Sequence, residues 1–297
     1  MPVTLETPTV TVLDEAVEAL SSWQREGGPV QLHPGDLGWN STAGVAEMVR
    51  HVRVWRRDGE ICAVGLLDSP KLVRLGIAPV VGDDEPFATS LLADLSDPMS
   101  GVLPSGCVCV EARAGSALRR LLTAHGWLDD EPWTPLRRDL SEAVEDCGLR
   151  IEVVDPARVA DGHQGLLMDR VAVHRAAFER SSLTTGRWHA MASASPYRRA
   201  RCLVGYDADD TPVAAVTVWS SGVGRPGLLE PLGVHHDHRG KGHGRAISLA
   251  AAAALRELRA SSATVCTPSS NVGAVAAYAS AGYRELTAVR DFRRPAH

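Results

Sequence analysis

The residues best suited to chemistry lie together in one run, residues 228–245. It carries a carboxylate, Glu230, followed by Pro231, Leu232 and Val234, and then Arg239, Gly240, Lys241, Gly242, His243, Gly244 and Arg245. The pattern reads as strand, glycine-rich loop and helix. Ile247, Ala251, Ala254, Leu255 and Leu258 share one face at helical spacing within an alanine-rich stretch, which signals the helix. A glycine-rich turn before a helix start presents unpaired N–H groups at the positive end of the helix dipole, and so suits an anion. Glycine also lets the backbone approach a phosphate closely. Arg239, Lys241 and Arg245 add positive charge there to a chain of net charge −5. A pyrophosphate fits these properties; a plain turn with a solvated basic face is the alternative that the loop alone leaves open.

Two common phosphate motifs do not fit. A P-loop needs Ser or Thr after Gly-Lys, and here Gly240-Lys241 is followed by Gly242. The dinucleotide fingerprint GxGxxG also fails, since Gly240, Gly242 and Gly244 alternate strictly. Arg239-x-x-Gly242-x-Gly244, with Val234 upstream, instead resembles the signature of the GNAT acyltransferase superfamily. A second motif of that family stands downstream as Asn271, Ala274, Tyr278 and Gly282-Tyr283. The resemblance covers residues 149–295.

That resemblance implies an N-acetyltransferase using acetyl-CoA as co-substrate, with an amine as acceptor. It implies that backbone N–H groups of Arg239, Gly240, Lys241, Gly242, His243, Gly244 and Arg245 bind the CoA pyrophosphate. The strand ending at Val234 would pair with the pantetheine arm, as an added strand pairs with a sheet edge. Pro231 removes a ladder donor and belongs at a bulge or edge. A free N–H at Leu232 would then polarise the thioester carbonyl. Glu230, four residues before Val234, stands where polyamine acetyltransferases carry the general base, and an amine that is mostly protonated needs one. Tyr278 is the family's usual general acid. Asn271 would cap its helix and contact the cofactor. Trp188, His189 and Tyr197 fall in the family's variable acceptor-binding region. The bland readings are an arginine partner for Glu230, core packing for Tyr278, Trp188 and Tyr197, and capping alone for Asn271.

His235, His236, His238 and His243 read as solvated histidines around the phosphate loop, so no metal is expected. Cys62, Cys107, Cys109, Cys147, Cys202 and Cys266 contain no CxxC pair and read as free, small apolar residues.

The elements that must position these residues repeat along the chain. The first half has a helical pattern at residues 13–23, then strands at 52–56 and 61–67 around the turn 57–60. The second half has a helical pattern at 166–178, then strands at 202–206 and 213–219 around the turn 207–210. Each half then gives a strand, a helix ending in glycine (Gly126, Gly282) and a last strand, near 133–140 and 283–292. The expected fold is α/β (α+β): two tandem GNAT-like domains, each a mixed, mostly antiparallel sheet flanked by helices, covering residues 1–148 and 149–297.

The first copy reads as degenerate. Leu122 aligns with Tyr278 and Gly115 with Asn271. After the strand expected at residues 75–81, Gly82-Asp83-Asp84-Glu85-Pro86 replaces the phosphate loop with acidic residues that repel a pyrophosphate.

The 297 residues are 44% hydrophobic and 23% charged, ordinary for a globular protein. The net charge argues against a nucleic-acid partner. No apolar run is long enough to cross a bilayer, and residues 1–14 lack a secretory pattern, so a cytoplasmic location is expected. Abundant Ala, Arg and Gly suggest a bacterial source. The competing functions are a non-catalytic acyl-CoA sensor and an enzyme similar to mycothiol synthase, a tandem protein with an active C-terminal copy and a cysteinyl pseudodisaccharide acceptor.

Overall fold

The computed structural model describes residues 2–295. In the first half, Thr9 opens helix Val10–Trp23, its hydroxyl accepting the Val12 N–H at 3.4 Å. Leu13, Ala16, Val17 and Leu20 recur at helical spacing and bury one stripe of that helix. The strands are β1 (Val3–Glu6), β2 (Val52–Arg57), β3 (Glu60–Ser69), β4 (Leu72–Ile77), β5 (Val108–Glu111) and β6 (Leu128–Asp139). The second half supplies β7 (Arg150–Val153), β8 (Ala200–Tyr206), β9 (Pro212–Trp219), β10 (Gly227–Val234), β11 (Ser262–Pro268), β12 (Arg284–Glu285) and β13 (Val289–Arg294). β4 stops short of the strand expected through residue 81, because Pro79 opens a short 3-10 turn, Pro79–Val81.

All thirteen strands join one sheet, ordered β1-β2-β3-β4-β5-β13-β6-β11-β10-β9-β8-β7, with β12 on β6. It is mostly antiparallel. The parallel pairs are β4 with β5 and β10 with β11, one in each half. The internal repeat is visible in this order: four antiparallel strands, a parallel neighbour, and one more antiparallel strand.

The last strands are exchanged. β6, from the first half, lies beside β11 over Ser262–Pro268, while β13, from the end of the chain, lies beside β5. Side chains follow the backbone. Phe292 of β13 is buried in the core of the first half, and Leu136 of β6 in that of the second. The last strands expected at residues 133–140 and 283–292 therefore exist, each in the other half's sheet.

A second bridge is the helix Pro34–Asn40, whose glycines rest against Trp219; a Cβ at Gly35 or Gly38 would overlap the indole. All six cysteines are free, with Cys62 and Cys202 buried. Among the described residues, no helix is long and apolar enough to cross a membrane.

Candidate active site

Strands β10 and β11 are paired only at Gly227 with Ala263 and Leu228 with Thr264. Past Leu228 a groove of about 840 Å³ opens beside β10. It is lined by Leu232, Gly233 and Val234 of β10, by the loop and helix start from His238 to Arg245 except Lys241, by Asn271, and by Ala274 and Tyr278 of helix Val272–Ser280, which Asn271 caps. Of the residues expected to hold a cofactor, all but Lys241 line this groove; Lys241 is exposed beside it.

The loop has the properties of an anion cradle. Gly242 takes φ of 85° as N-cap of helix His243–Glu257, and no side chain caps that helix. The N–H groups of its first turn are thus open to a ligand. Gly244 is required for a different reason: a Cβ there would stand 3.2 Å from Ala277 Cβ, so its absence lets the two helices close on the groove. Arg239 donates to the Ala177 carbonyl at 2.9 Å, and Arg245 to the Ser280 carbonyl at 3.0 Å. Both guanidinium groups therefore brace the groove walls. Asn271 caps its helix, Oδ1 accepting the Ala274 N–H at 3.2 Å.

The bulge expected at Pro231 lies between Leu229 and Leu232, where Glu230 and Pro231 fall opposite one residue of β9. His235 N–H donates to the Val213 carbonyl at 2.9 Å, and this sets the alternation along β10. Leu232, opposite Val216, is then a non-hydrogen-bonded position. Its N–H points away from β9, into the gap where β10 and β11 separate. The carbonyl of Glu230 is held by Trp219, whose Nε1 donates to it at 2.6 Å.

Glu230 is half-buried, and its carboxyl is pushed up to about 7. Burial is the main cause, and the Asp36 carboxylate adds to it; Arg74 opposes, while Asp68 and Glu111 raise it further. All four of these charges belong to the first half. Arg74 pairs with Asp36 at 2.9 Å and with Glu111 at 3.0 Å, and Arg113 pairs with Glu111 at 3.0 Å. Arg113 also approaches Asp291 of β13 at 3.6 Å. The strand exchange thus assembles this network between the halves. Burial and the nearby Glu230 charge hold the Tyr278 phenol above its ordinary value, so it stays protonated at neutral pH.

A cavity of about 250 Å³ lies at the same junction. It is lined by Trp39, Asn40 and Thr42 from the first half and by His174, Arg180, Ser181, Ser182, Leu183 and Arg187 from the second. His174 packs between Trp39 and Phe178 with its ring tilted to both, centroids 5.2 and 4.7 Å apart, and Phe178 lines the groove. Groove and cavity therefore share an aromatic wall.

Residues 169–283 match the model of the acetyltransferase (GNAT) family. Those residues form a GNAT acetyltransferase domain. No curated protein matches the chain. Among solved structures, a tandem GNAT protein from the clavulanic acid biosynthesis pathway is 14% identical, with TM-score 0.57, over 99% of this chain and 98% of that one. An acetyltransferase of the GNAT family from Colwellia psychrerythraea is 14% identical, TM-score 0.59, over 99% of both chains. A GCN5-related N-acetyltransferase from Sphaerobacter thermophilus is 16% identical, TM-score 0.55, over 98% and 95%. These likenesses extend the GNAT fold over nearly the whole chain, and the family match supports an acyltransferase.

Set against the GNAT domain, the first half closes its own equivalent site. Helix Glu85–Ser96 stands where His243–Glu257 stands in the repeat, but Asp84 caps it, accepting the Phe87 N–H at 2.9 Å. Asp84 is also paired with Arg57 at 2.6 Å. A carboxylate thus occupies the helix start that Gly242 leaves open. Leu122, aligned with Tyr278, is fully buried in the core.

The aromatics assigned to the acceptor region require correction. Trp188 is fully buried and packs edge-on to Tyr197, which in turn packs edge-on to Trp219. Both are core residues and line neither groove nor cavity, and His189 is exposed to solvent. The segment does meet the junction, through Ser181, Ser182 and Arg187. Sequence reasoning missed Phe178, Asn40, Asp36, Asp68 and Arg74. Only Phe178, just ahead of the acceptor segment, carried a local signal.

Proposed function

We propose that the GNAT domain transfers an acetyl group from acetyl-CoA to the primary amine of a small, positively charged acceptor. The observation that carries this reading is Glu230: a carboxylate at a strand bulge, beside an open groove, raised to about 7. A general base works best with a pKa near the working pH, and burial among carboxylates gives Glu230 one.

The groove fits acetyl-CoA. The uncapped helix start around Gly242 would take the pyrophosphate, with donors from Arg239, Gly240, His243, Gly244 and Arg245, and with Lys241 as an outlying positive charge. Leu232 and Val234 would align the pantetheine arm, and Asn271 and Tyr278 line the opposite wall. When bound, acetyl-CoA supplies an activated acetyl thioester. The Leu232 N–H is aimed into the gap where the carbonyl of that group would be polarised. Glu230 takes a proton from the amine, directly or through water, and Tyr278 gives one to the departing thiolate.

The acceptor class follows from the charge at the junction. Asp36, Asp68, Glu111, Glu230 and Asp291 face Arg74 and Arg113, and they still outnumber the cations when Arg180 and Arg187 of the neighbouring cavity are counted. Such a site attracts an ammonium group and repels an anion. A cationic acceptor would also lower the Glu230 pKa on arrival and so help ready the base. The division into residues 1–148 and 149–297 stands as part of this proposal, with the first part shaping the acceptor side. Residues 1 and 296–297 lie outside the described residues. With acetyl-CoA as donor, the proposed location is the cytoplasm.

The test is calorimetry with acetyl-CoA on the wild type, Gly242→Trp and a Glu85→Ala control, followed by an amine screen for turnover. One site, lost only in Gly242→Trp, with turnover of cationic amines, supports the reading. A folded wild type that binds nothing sinks it. Binding without turnover on any amine would leave an acyl-CoA sensor.

A further inference from the structure

We propose that Asp207, His238 and His243 form a binding site for a divalent metal ion of the zinc type at the rim of the cofactor groove. The three residues come from separate elements: the turn between β8 and β9, the 3-10 turn His236–His238 after β10, and the first position of helix His243–Glu257. One ligating atom of each lies within 4.8 Å of the other two. Metal–nitrogen and metal–oxygen bonds of about 2 Å are reached by closing the side chains by roughly an ångström. The rings of His238 and His243 stand 6.3 Å apart, tilted by 51°.

Two further observations point to a ligand. His238 Nδ1 is buried and has no hydrogen-bond partner, and a buried imidazole nitrogen ordinarily has one. The Asp207 carboxylate is already oriented by the backbone. Its Oδ1 accepts N–H groups from Asp209 and Thr211, each at 3.0 Å. Hydrogen bonds of this kind hold a metal-binding carboxylate in place.

The four histidines around the loop, His235, His236, His238 and His243, have different surroundings in the structure. His235, His236 and Asp237 also gather, but His236 Nδ1 contacts the Ala176 carbonyl at 2.8 Å, and His235 Nδ1 lies 3.3 Å from the Asp237 N–H. Their nitrogens are engaged where His238 Nδ1 is not. Two imidazoles and one carboxylate suit zinc, with a position left open. His238 and His243 line the groove, so the ion would add positive charge beside the proposed pyrophosphate site. That consequence rests on the acetyl-CoA reading; the metal site itself does not.

The experiment titrates zinc into the tag-free full chain by calorimetry, with cobalt absorption as a second readout. The expected result is one equivalent bound by the wild type and at least tenfold weaker binding in Asp207→Asn and His238→Ala. Asp207→Asn keeps the acceptor oxygen of its turn, so its fold is preserved. His236→Ala should bind as the wild type does. Absence of saturable zinc binding overturns the proposal, and so does a loss in His236→Ala as large as that in His238→Ala. A separate titration follows acetyl-CoA binding with and without zinc. Zinc binding without acetyl-CoA binding would sink the transferase reading and leave the metal site standing.

Discussion

The indole of Trp219 donates from Nε1 to the carbonyl oxygen of Glu230 at 2.6 Å, while its ring lies under Gly35 and Gly38 of the first half. One side chain therefore ties the bulge that carries the proposed base to a helix of the other half. The same helix supplies Asp36, whose carboxylate is the largest charge effect raising Glu230. Trp219→Phe keeps most of the packing and removes the donor. The carbonyl loses its partner, at a cost of about 1–3 kcal/mol. The expected result is a lower melting temperature and a loss in kcat/KM greater than in KM. The apparent pKa of the base should also move down from about 7, as the loosened bulge lets water in. A variant with an unchanged pH profile would show that the bulge does not need this bond.

Glu230→Gln separates catalysis from stability. Removal of a general base costs roughly 100- to 10,000-fold in rate. In the wild type, kcat/KM should rise with pH through about 7 as Glu230 loses its proton. The effect on stability has the opposite sense. The folded-state pKa lies above the ordinary carboxylate value, so the folded protein holds a proton that the unfolded chain releases. That contribution is full below about pH 4.5 and is lost as pH rises through about 7. Above pH 7 the wild type retains an ionised carboxylate among other carboxylates, and glutamine does not. Melting curves should show Glu230→Gln gaining on the wild type at pH 8 and no gain near pH 5. An equal gain at both values would mean that Glu230 is not perturbed in the folded protein.

Tyr278→Phe tests the proposed acid. The ring is buried beside Tyr283, with centroids 5.8 Å apart, and the residue lines the groove. Phenylalanine preserves that packing, so the melting temperature and acetyl-CoA affinity should hold within about twofold. The kcat should fall by roughly 100-fold. A loss of affinity in place of rate would assign Tyr278 to cofactor packing.

How far these residues could be read in advance depends on how locally they are encoded. The proposed phosphate loop is local: glycine at positions 240, 242 and 244 before an apolar helix can be seen without a fold. The bulge is local too, because Pro231 interrupts a strand. Asp36, Asp68 and Arg74 are not. They lie roughly 150–200 residues from Glu230 in the chain, and only the exchange of β6 and β13 and the packing of Pro34–Asn40 on Trp219 bring them near. An apolar strand pattern says that β6 is a strand and is silent on which sheet it joins. Trp188 and Tyr197 show the converse: a large aromatic suits a core as well as a pocket, and its neighbours in sequence do not distinguish the two.

Asp68 tests the acceptor side. It lies on β3, open to solvent, yet desolvation in the crowded junction raises its carboxyl above the ordinary value, with Arg74 opposing. Asp68→Asn removes one negative charge near Glu230 and leaves the groove intact. The KM for a cationic amine should rise several-fold while acetyl-CoA affinity stays constant. Glu230 should titrate lower, shifting the acid limb of the pH–rate profile downward. A constant KM across amines of different charge would show that the junction does not select by charge.

The strand exchange makes a prediction about distant parts of the chain. Phe292 belongs to the last strand, yet it is 3% exposed within the core of the first half and lies opposite Val110 of β5. Arg119 also stacks on its ring at 4.9 Å. Phe292→Ala removes a buried aromatic side chain and should destabilise by about 3–5 kcal/mol. The loss should appear first in the N-terminal half. Hydrogen exchange should quicken in β5 and in helix Ser116–Ala124, nearly 170 residues upstream, before it quickens in helix His243–Glu257, which lies much nearer in sequence. If β13 instead stabilised the half from which it comes, exchange would rise around β11 and helix Val272–Ser280 and stay slow in β5.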